Sequence, residues 1–250
     1  MRDYIADEDR PLLEAQGLAG FDALWALELP MVDEPNVDRG GWSAVCRLEI
    51  GGRGFFLKRQ CNHLTRSVSA PFGEPTLARE FRNIARCRAR GLPVVEASFY
   101  AERRGCGGVR AVLMTHALDE WRDLLTSLDD ARVDGVRRHK LLAACGALAR
   151  RLHYAGLIHC CFYPRHIFVR EIAGGGYETR LIDLEKIRAL VFGWRDRVKD
   201  LEQFQRHTPI LDAREERVWL SRYLDRAPND PEVDIWIDRL LARRRDKDSR

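Results

Sequence analysis

The sequence predicts an α+β protein of two lobes, a small antiparallel β-rich N-lobe with one main helix and a larger, mostly α-helical C-lobe. Residues 42–59 have a strand-like texture broken by a Gly51-Gly52-Arg53-Gly54 turn. Residues 76–90 and most of 134–243 carry apolar residues at helical spacing instead. Inside the helical half, a second strand pair, 167–169 and 180–183, is joined through Gly174-Gly175-Gly176, a run that allows the positive φ of a hairpin turn.

At 250 residues and 45% hydrophobic content the chain can bury a substantial core, as one large or two small domains in close contact. Lys and Arg number 42 against 38 Asp and Glu, a net charge of +4 that does not argue for a nucleic-acid partner. Arginines do cluster around 82–90, 195–197 and 242–250, where anionic partners could be met, although a solvated face is the commoner meaning. The N-terminal residues show no basic segment followed by an apolar run, and no apolar stretch reaches the roughly 18–20 residues that span a bilayer. A cytoplasmic location is expected, with peripheral association at an inner-membrane surface as an option. The seven cysteines, at 46, 61, 87, 106, 145, 160 and 161, form no CxxC pair and no zinc spacing; reduced thiols and no disulfide framework are expected.

Taken in order, residues 1–36 form an N-terminal extension, with a short helix at 11–15 and a helical period over 21–27, expected to pack on the small lobe. Turn formers fill 36–41, strands follow at 42–50 and 55–59, and 60–76 reads as a loop. The helix 76–90 has Leu77, Phe81, Ile84 and either Cys87 or Arg88 as its inner stripe and closes at Gly91. Two further strands are expected at 92–95 and 109–114, and residues 115–118 then lead into helices at 119–128 and 134–153. The second of these carries Leu141, Leu142, Cys145, Leu148 and Leu152 on one face and is capped by Gly156. Helices at 196–205, 213–224 and 233–243 complete the chain, and 243–250 reads as a fraying charged tail. The expected organisation is an extension 1–36, an N-lobe 37–114, a C-lobe 115–245 and a disordered tail 246–250.

The chain is organised around residues 157–186, in which the hairpin brings the segment at His159 next to Asp183. A loop running from His159 through Cys160, Cys161, Phe162, Tyr163, Pro164 and Arg165 to His166, then a hairpin, then Asp183-Leu184-Glu185, has the spacing of a kinase catalytic centre. There, H-R-D-x-x-x-x-N precedes D-F-G. Cys161 stands where the loop aspartate would be, and His166 where the second metal-binding asparagine would be. With its Tyr-Pro-Arg-His ending and the motif Ile182-Asp183-Leu184-Glu185, the stretch resembles the lipopolysaccharide kinase family, InaA-like proteins with heptose and Kdo kinase relatives. The resemblance spans roughly residues 37–225.

That resemblance implies a protein-kinase-like fold, ATP and Mg2+ as cofactors, and phosphorylation of a lipopolysaccharide core sugar or a small hydroxylated molecule. It implies that Gly40 and Gly41 cover nucleotide phosphates, although a Gly-Gly pair is also a plain turn. Lys58 would reach the α- and β-phosphates and Glu80, 22 residues on, would hold it there; a solvated strand lysine and an i,i+4 helix-surface charge are the bland alternatives. Met114 would lie nearest the adenine, or merely fill core. Asp183 would bind Mg2+, or else cap a turn. His166 could assist as a metal or phosphate ligand, a hydrogen bond being more plausible than coordination because Mg2+ prefers oxygen, or be a satisfied core histidine. His159 and Asp200 would brace the loop, with a surface helix position as the alternative for Asp200. Cys161 is the departure: a thiol of ordinary pKa near 8.5 can neither hold the acceptor hydroxyl with a fixed charge nor readily take its proton. Three readings stay open: Glu185 or His166 supplies the base, the transition state tolerates its absence, or the protein is a pseudokinase-like module that binds nucleotide without transfer.

Overall fold

The computed structural model describes residues 3–67, 70–105, 107–132, 134–208 and 211–248. The chain divides into two compact units, one running to Arg88 and including Val95–Asp119, the other made of Ala89–Val94 and the residues from Glu120 onward. No helix among the described residues is long and apolar enough to cross a membrane.

The first unit contains, in order, β1 (Tyr4–Ile5), α1 (Arg10–Ala15), α2 (Phe21–Ala26), β2 (Trp42–Ile50), β3 (Arg53–Cys61), β4 (Leu64–Ser67), β5 (Ala70–Pro75), α3 (Thr76–Arg88), β6 (Ala97–Gly105) and β7 (Gly108–His116). Five strands form one antiparallel sheet in the order β1-β6-β7-β3-β2. Period-two alternation decides its faces. On β3, Phe55 and Leu57 are buried in one cluster with Leu13 of α1, Phe21 and Leu24 of α2, and Phe99 and Met114. Arg59 shares their parity and donates to the carbonyls of Trp25 and Leu27 at 2.8 and 2.6 Å, tying the N-terminal residues to that face. Lys58 and Gln60 point the other way, toward α3.

Several expectations for this unit need correction. Residues 60–76 are not a loop: β4 and β5 pair antiparallel. A ribbon that is largely solvated shows no apolar alternation, and Pro71 and Gly73 disguised it as punctuation. The strand expected at 92–95 starts at Ala97 instead, because Pro93 carries no backbone donor; Val94 makes an isolated parallel bridge to Leu181 within the second unit. In α3 the inner stripe is Leu77, Ala78, Glu80, Ile84 and Cys87, while Phe81 is half-buried and stacks on Tyr100 with ring centroids 4.5 Å apart. Arg88 is exposed and pairs with Glu96.

The second unit contains β8 (Arg122–Asp123), α4 (Leu124–Asp130), α5 (Gly135–Tyr154), β9 (Leu157–Ile158), β10 (Ile167–Ile172), β11 (Gly176–Leu181), β12 (Arg188–Ala189), α6 (Trp194–Arg206), α7 (Ala213–Leu224) and α8 (Pro231–Asp248). Its sheets run β11-β10-β8 and β12-β9. The helix expected at 119–128 begins only at Leu124, because Asp123 takes the cap: its carboxylate accepts from Thr126 N and Thr126 Oγ1. The five apolar residues expected on the inner face of α5 are all buried. Gly146 lets α5 and α7 touch, since a Cβ there would sit 2.4 Å from the Trp219 carbonyl oxygen. The expected tail is helical as far as it is described. Arg243 and Lys247 on α8 reach the buried carboxylate of Glu202, which holds this last turn in place; residues 249–250 lie outside the described residues. Six of the cysteines are free thiols, and Cys106 lies outside the described residues.

Candidate functional site

In the first unit the site begins with β3. Because Leu57 is committed to the core, Lys58 is presented on the opposite face, and Gln60, on the same side two residues later, fixes the helix that answers it. Gln60 is fully buried; its Oε1 accepts from Leu77 N at 2.9 Å and Thr76 Oγ1 at 2.8 Å, and its Nε2 donates to the His63 carbonyl at 2.6 Å. One turn into α3, Glu80 meets Lys58, with Nζ donating to Oε1 at 2.6 Å. The side chains are 22% and 5% exposed, so this ion pair is largely shielded from water. A helix-surface charge for Glu80 is thereby excluded. The residue missed from sequence is Gln60, and its signal was the shared strand parity with Lys58.

The other two features named for nucleotide binding behave differently. Gly40 ends the short 3-10 turn Asp38–Gly40 and is exposed. A Cβ on Gly41 would lie 2.2 Å from the Cys61 carbonyl oxygen, so this glycine permits the backbone to press against residues 61–63. Met114 has the environment of the core-filling alternative. It is fully buried among the apolar side chains named above, and its strand is paired on both edges, to Leu57 and to Phe99. Its side chain offers no surface to a base.

In the second unit the site is a loop clamped from α6. Asp200 is fully buried, and its two oxygens accept from His159 N at 2.6 Å and Cys160 N at 2.8 Å. A solvated helix position is excluded by that burial. Gln203, three residues on along the same helix face, accepts from Phe162 N at 3.3 Å. Cys160 takes a left-handed backbone conformation, φ 65°. His159 is fully buried with its Nε2 3.0 Å from the Ile182 carbonyl, and burial holds its pKa below the ordinary histidine value, leaving a neutral ring that donates.

The β10–β11 hairpin then does what its glycines require: Gly174 and Gly175 take φ of 95° and 76°, and Ile167 pairs with Leu181. That register places His166 and Asp183 at adjoining ends, with Nδ1 3.6 Å from Oδ2. His166 Nδ1 lies closer, at 3.0 Å, to the Cys161 carbonyl, which can only accept; this nitrogen is a donor there and not a metal ligand. Asp183 has φ 56° and a side chain 41% exposed.

Cys161 is 5% exposed. Burial pushes its thiol pKa up, outweighing the Lys186 ammonium and the Tyr163 hydroxyl that hydrogen-bond to it. The thiol is therefore neutral at pH 7 and carries no charge to hold a hydroxyl. Alkylation of Cys161 by iodoacetamide at neutral pH is expected to run slower than that of a free thiol, checked by peptide mass spectrometry; a faster rate would mean a thiolate. Lys186, Tyr163 and Gln203 were not singled out from sequence.

Among the described residues no three His, Cys, Asp or Glu side chains come together as a metal cage. A lone, part-exposed carboxylate such as Asp183 fits a hydrated Mg2+ shared with phosphate oxygens, which takes one or two protein carboxylates. It does not fit zinc, which wants a closed set of nitrogen and sulfur ligands.

The fold is a two-unit α+β fold of the kinase-like class, as comparison with solved structures shows. One of them, "WaaP in complex with acyl carrier protein", superposes with a TM-score of 0.69 over 96% of this chain and 97% of that one, at 21% identity. The sequence model of the "Lipopolysaccharide kinase (Kdo/WaaP) family" matches residues 22–223. Protein InaA of Escherichia coli (strain K12) is 34% identical over 172 residues, covering 67% of this chain and 78% of that protein. The chain belongs to the lipopolysaccharide kinase family.

Proposed function

We propose that the protein binds ATP with Mg2+ and transfers the γ-phosphoryl group to a sugar hydroxyl of the lipopolysaccharide core, acting at the inner-membrane surface where such glycolipids are built. The observation that carries this reading is the shielded Lys58–Glu80 pair: a strand ammonium fixed by a helix carboxylate is the arrangement that positions nucleotide phosphates in kinases. Nucleotide binding is assigned to the first unit and the catalytic loop to the second. Lys58 donates to phosphate oxygens. Asp183 holds the cation, which when bound neutralises charge on the phosphates. Asp200 keeps the loop in register. In the transfer the bond between the γ-phosphorus and the bridging oxygen breaks toward ADP, and a bond from the sugar oxygen forms. The hydroxyl proton goes to Nε2 of His166, the nitrogen left as acceptor when Nδ1 donates to the Cys161 carbonyl.

One observation favours a second reading, nucleotide binding without transfer: Cys161, at the position of the kinase base, is a buried neutral thiol. Calorimetric titration with ATP, with and without Mg2+, tests the shared part. Lys58→Ala is expected to lower affinity about 10- to 100-fold, the loss of one charge-assisted hydrogen bond. The double variant Lys58→Met/Glu80→Met serves as control for the carboxylate that the single change strands. Unchanged affinity in both variants would refute the assignment. Incubation with labelled ATP and deacylated core oligosaccharide separates the readings: transfer lost in His166→Ala supports the enzyme, whereas binding without transfer, with activity appearing in Cys161→Asp, supports the module. A free sugar as parallel acceptor distinguishes a soluble substrate.

A further inference from the structure

The segment between β12 and α6 displays an apolar tip. Val191 is 67% exposed, Phe192 63% and Trp194 48%. Tyr154, at the end of α5 and also 67% exposed, joins them where Leu190 N donates to the Gly156 carbonyl at 2.8 Å. Single exposed apolar residues are ordinary, but large ones crowded into one turn mark a contact surface.

The tip is held in shape. Asp196, 4% exposed, accepts from Val191 N at 2.9 Å and Phe192 N at 3.0 Å, and takes the Arg188 guanidinium on both oxygens at 2.6 and 3.0 Å. The Val191 and Phe192 amides are thus committed to Asp196, and their side chains are left exposed. Guanidinium groups ring it: Arg239 and Arg195 lie 4.9 and 5.7 Å from the Trp194 ring centroid, and Arg150 and Arg197 lie 4.6 and 5.5 Å from that of Tyr154.

The rings of Trp194 and Tyr154, each with a polar edge, the wholly apolar side chains of Val191 and Phe192, and the arginines beside them match the layers of a lipid interface, where acyl chains lie beneath anionic phosphates. A folded protein partner would call for a broader surface, on the order of 800 Å² from each side. We infer that residues 191–195, together with Tyr154, form a docking tip that seats the protein on an anionic bilayer. A bilayer as partner rests on the glycolipid acceptor proposed above, but vesicle binding needs no nucleotide, so the two readings fail separately.

Sedimentation of the full chain with vesicles of phosphatidylcholine, alone or mixed with phosphatidylglycerol, tests it. The protein is expected to pellet with the mixed vesicles and to stay in solution with phosphatidylcholine alone. Val191→Ser/Phe192→Ser should weaken binding at least about tenfold through lost apolar burial. Arg195→Glu should weaken it by about tenfold through reversed charge. All of these side chains are exposed, so thermal melting should be unchanged in both variants, which separates lost docking from lost fold. The assignment is overturned if the wild type ignores mixed vesicles, if it binds both lipids equally, or if the variants bind as the wild type does. It is equally overturned if the serine variant turns a dimer into a monomer in sedimentation velocity, since a second copy would then cover the tip.

Discussion

Asp200→Ala is expected to destabilise the protein by about 3–5 kcal/mol. The change strands a buried backbone donor, His159 N, and a part-buried one, Cys160 N, each worth about 1–3 kcal/mol when left unsatisfied, and deletes charge-assisted bonds at 2.6 and 2.8 Å. The same carboxylate lies 3.4 Å from Nε2 of the buried His153, so a second histidine loses its neighbour. Asp200→Asn keeps one acceptor oxygen and should recover about half of the loss. Urea unfolding reads both variants from a shifted midpoint at unchanged slope. A shift within about 0.5 kcal/mol for the alanine variant, the range of an ordinary surface change, would show that the loop does not depend on this clamp.

Glu215→Ala should be as damaging, for a reason far from the loop. Arg138 is forked onto Glu215, with Nε to Oε1 at 2.5 Å and Nη2 to Oε2 at 3.0 Å, and its Nη1 donates to the Leu128 carbonyl at 2.7 Å. The pair is buried, with side chains 5% and 9% exposed. Glu215 is also the third residue of a capping box with Asp212, accepting from Asp212 N at 3.2 Å. Removing it leaves a buried guanidinium uncompensated, about 3–5 kcal/mol, and loses the returning half of the capping box, the bond from Asp212 N, while the Asp212 side chain still caps the amide of residue 215. Arg138→Met/Glu215→Met should return most of the first part, because no lone charge remains.

The Arg138 guanidinium beside Glu215 holds its carboxyl below the ordinary glutamate pKa. A folded pKa lower than the unfolded one makes this contribution complete above the unfolded value and lost as pH falls through the folded one. Acid unfolding followed by circular dichroism should therefore be less steep in Glu215→Gln than in the wild type. An unaltered acid limb would mean that other carboxylates govern it.

The parts of this fold legible in the sequence were those with strong periodicity: β2, β3, α5, α7 and the glycine hairpin between β10 and β11. The β4–β5 ribbon was hidden because its strands carry no alternating apolar face, the buried positions of β5 being Glu74 and Pro75. The start of α4 was hidden because Asp123 reads as an ordinary helix residue until its cap is seen. Of the site, Asp200 and the Lys58–Glu80 spacing could be found by resemblance, since both sit at fixed distances from a motif. Met114 kept two readings, because an apolar residue at the end of a strand looks the same whether it borders a pocket or fills a core. Gln60 shared the strand parity of Lys58 and could have been found that way, whereas Gln203 and Lys186 were beyond reach: an amide or amine acquires its role only from the partner the fold brings to it.

Cys160 and Asp183, with φ of 65° and 56°, hold side chains in a region that glycine enters freely and other residues enter at about 1–2 kcal/mol. A laboratory search for thermostable variants would thus be drawn toward glycine at both places. At 160 that change would ease the backbone and leave the Asp200 contacts intact, since those use the amide. At 183 it would erase the carboxylate, so the gain in ruggedness there and the cation-holding role proposed for Asp183 pull in opposite directions.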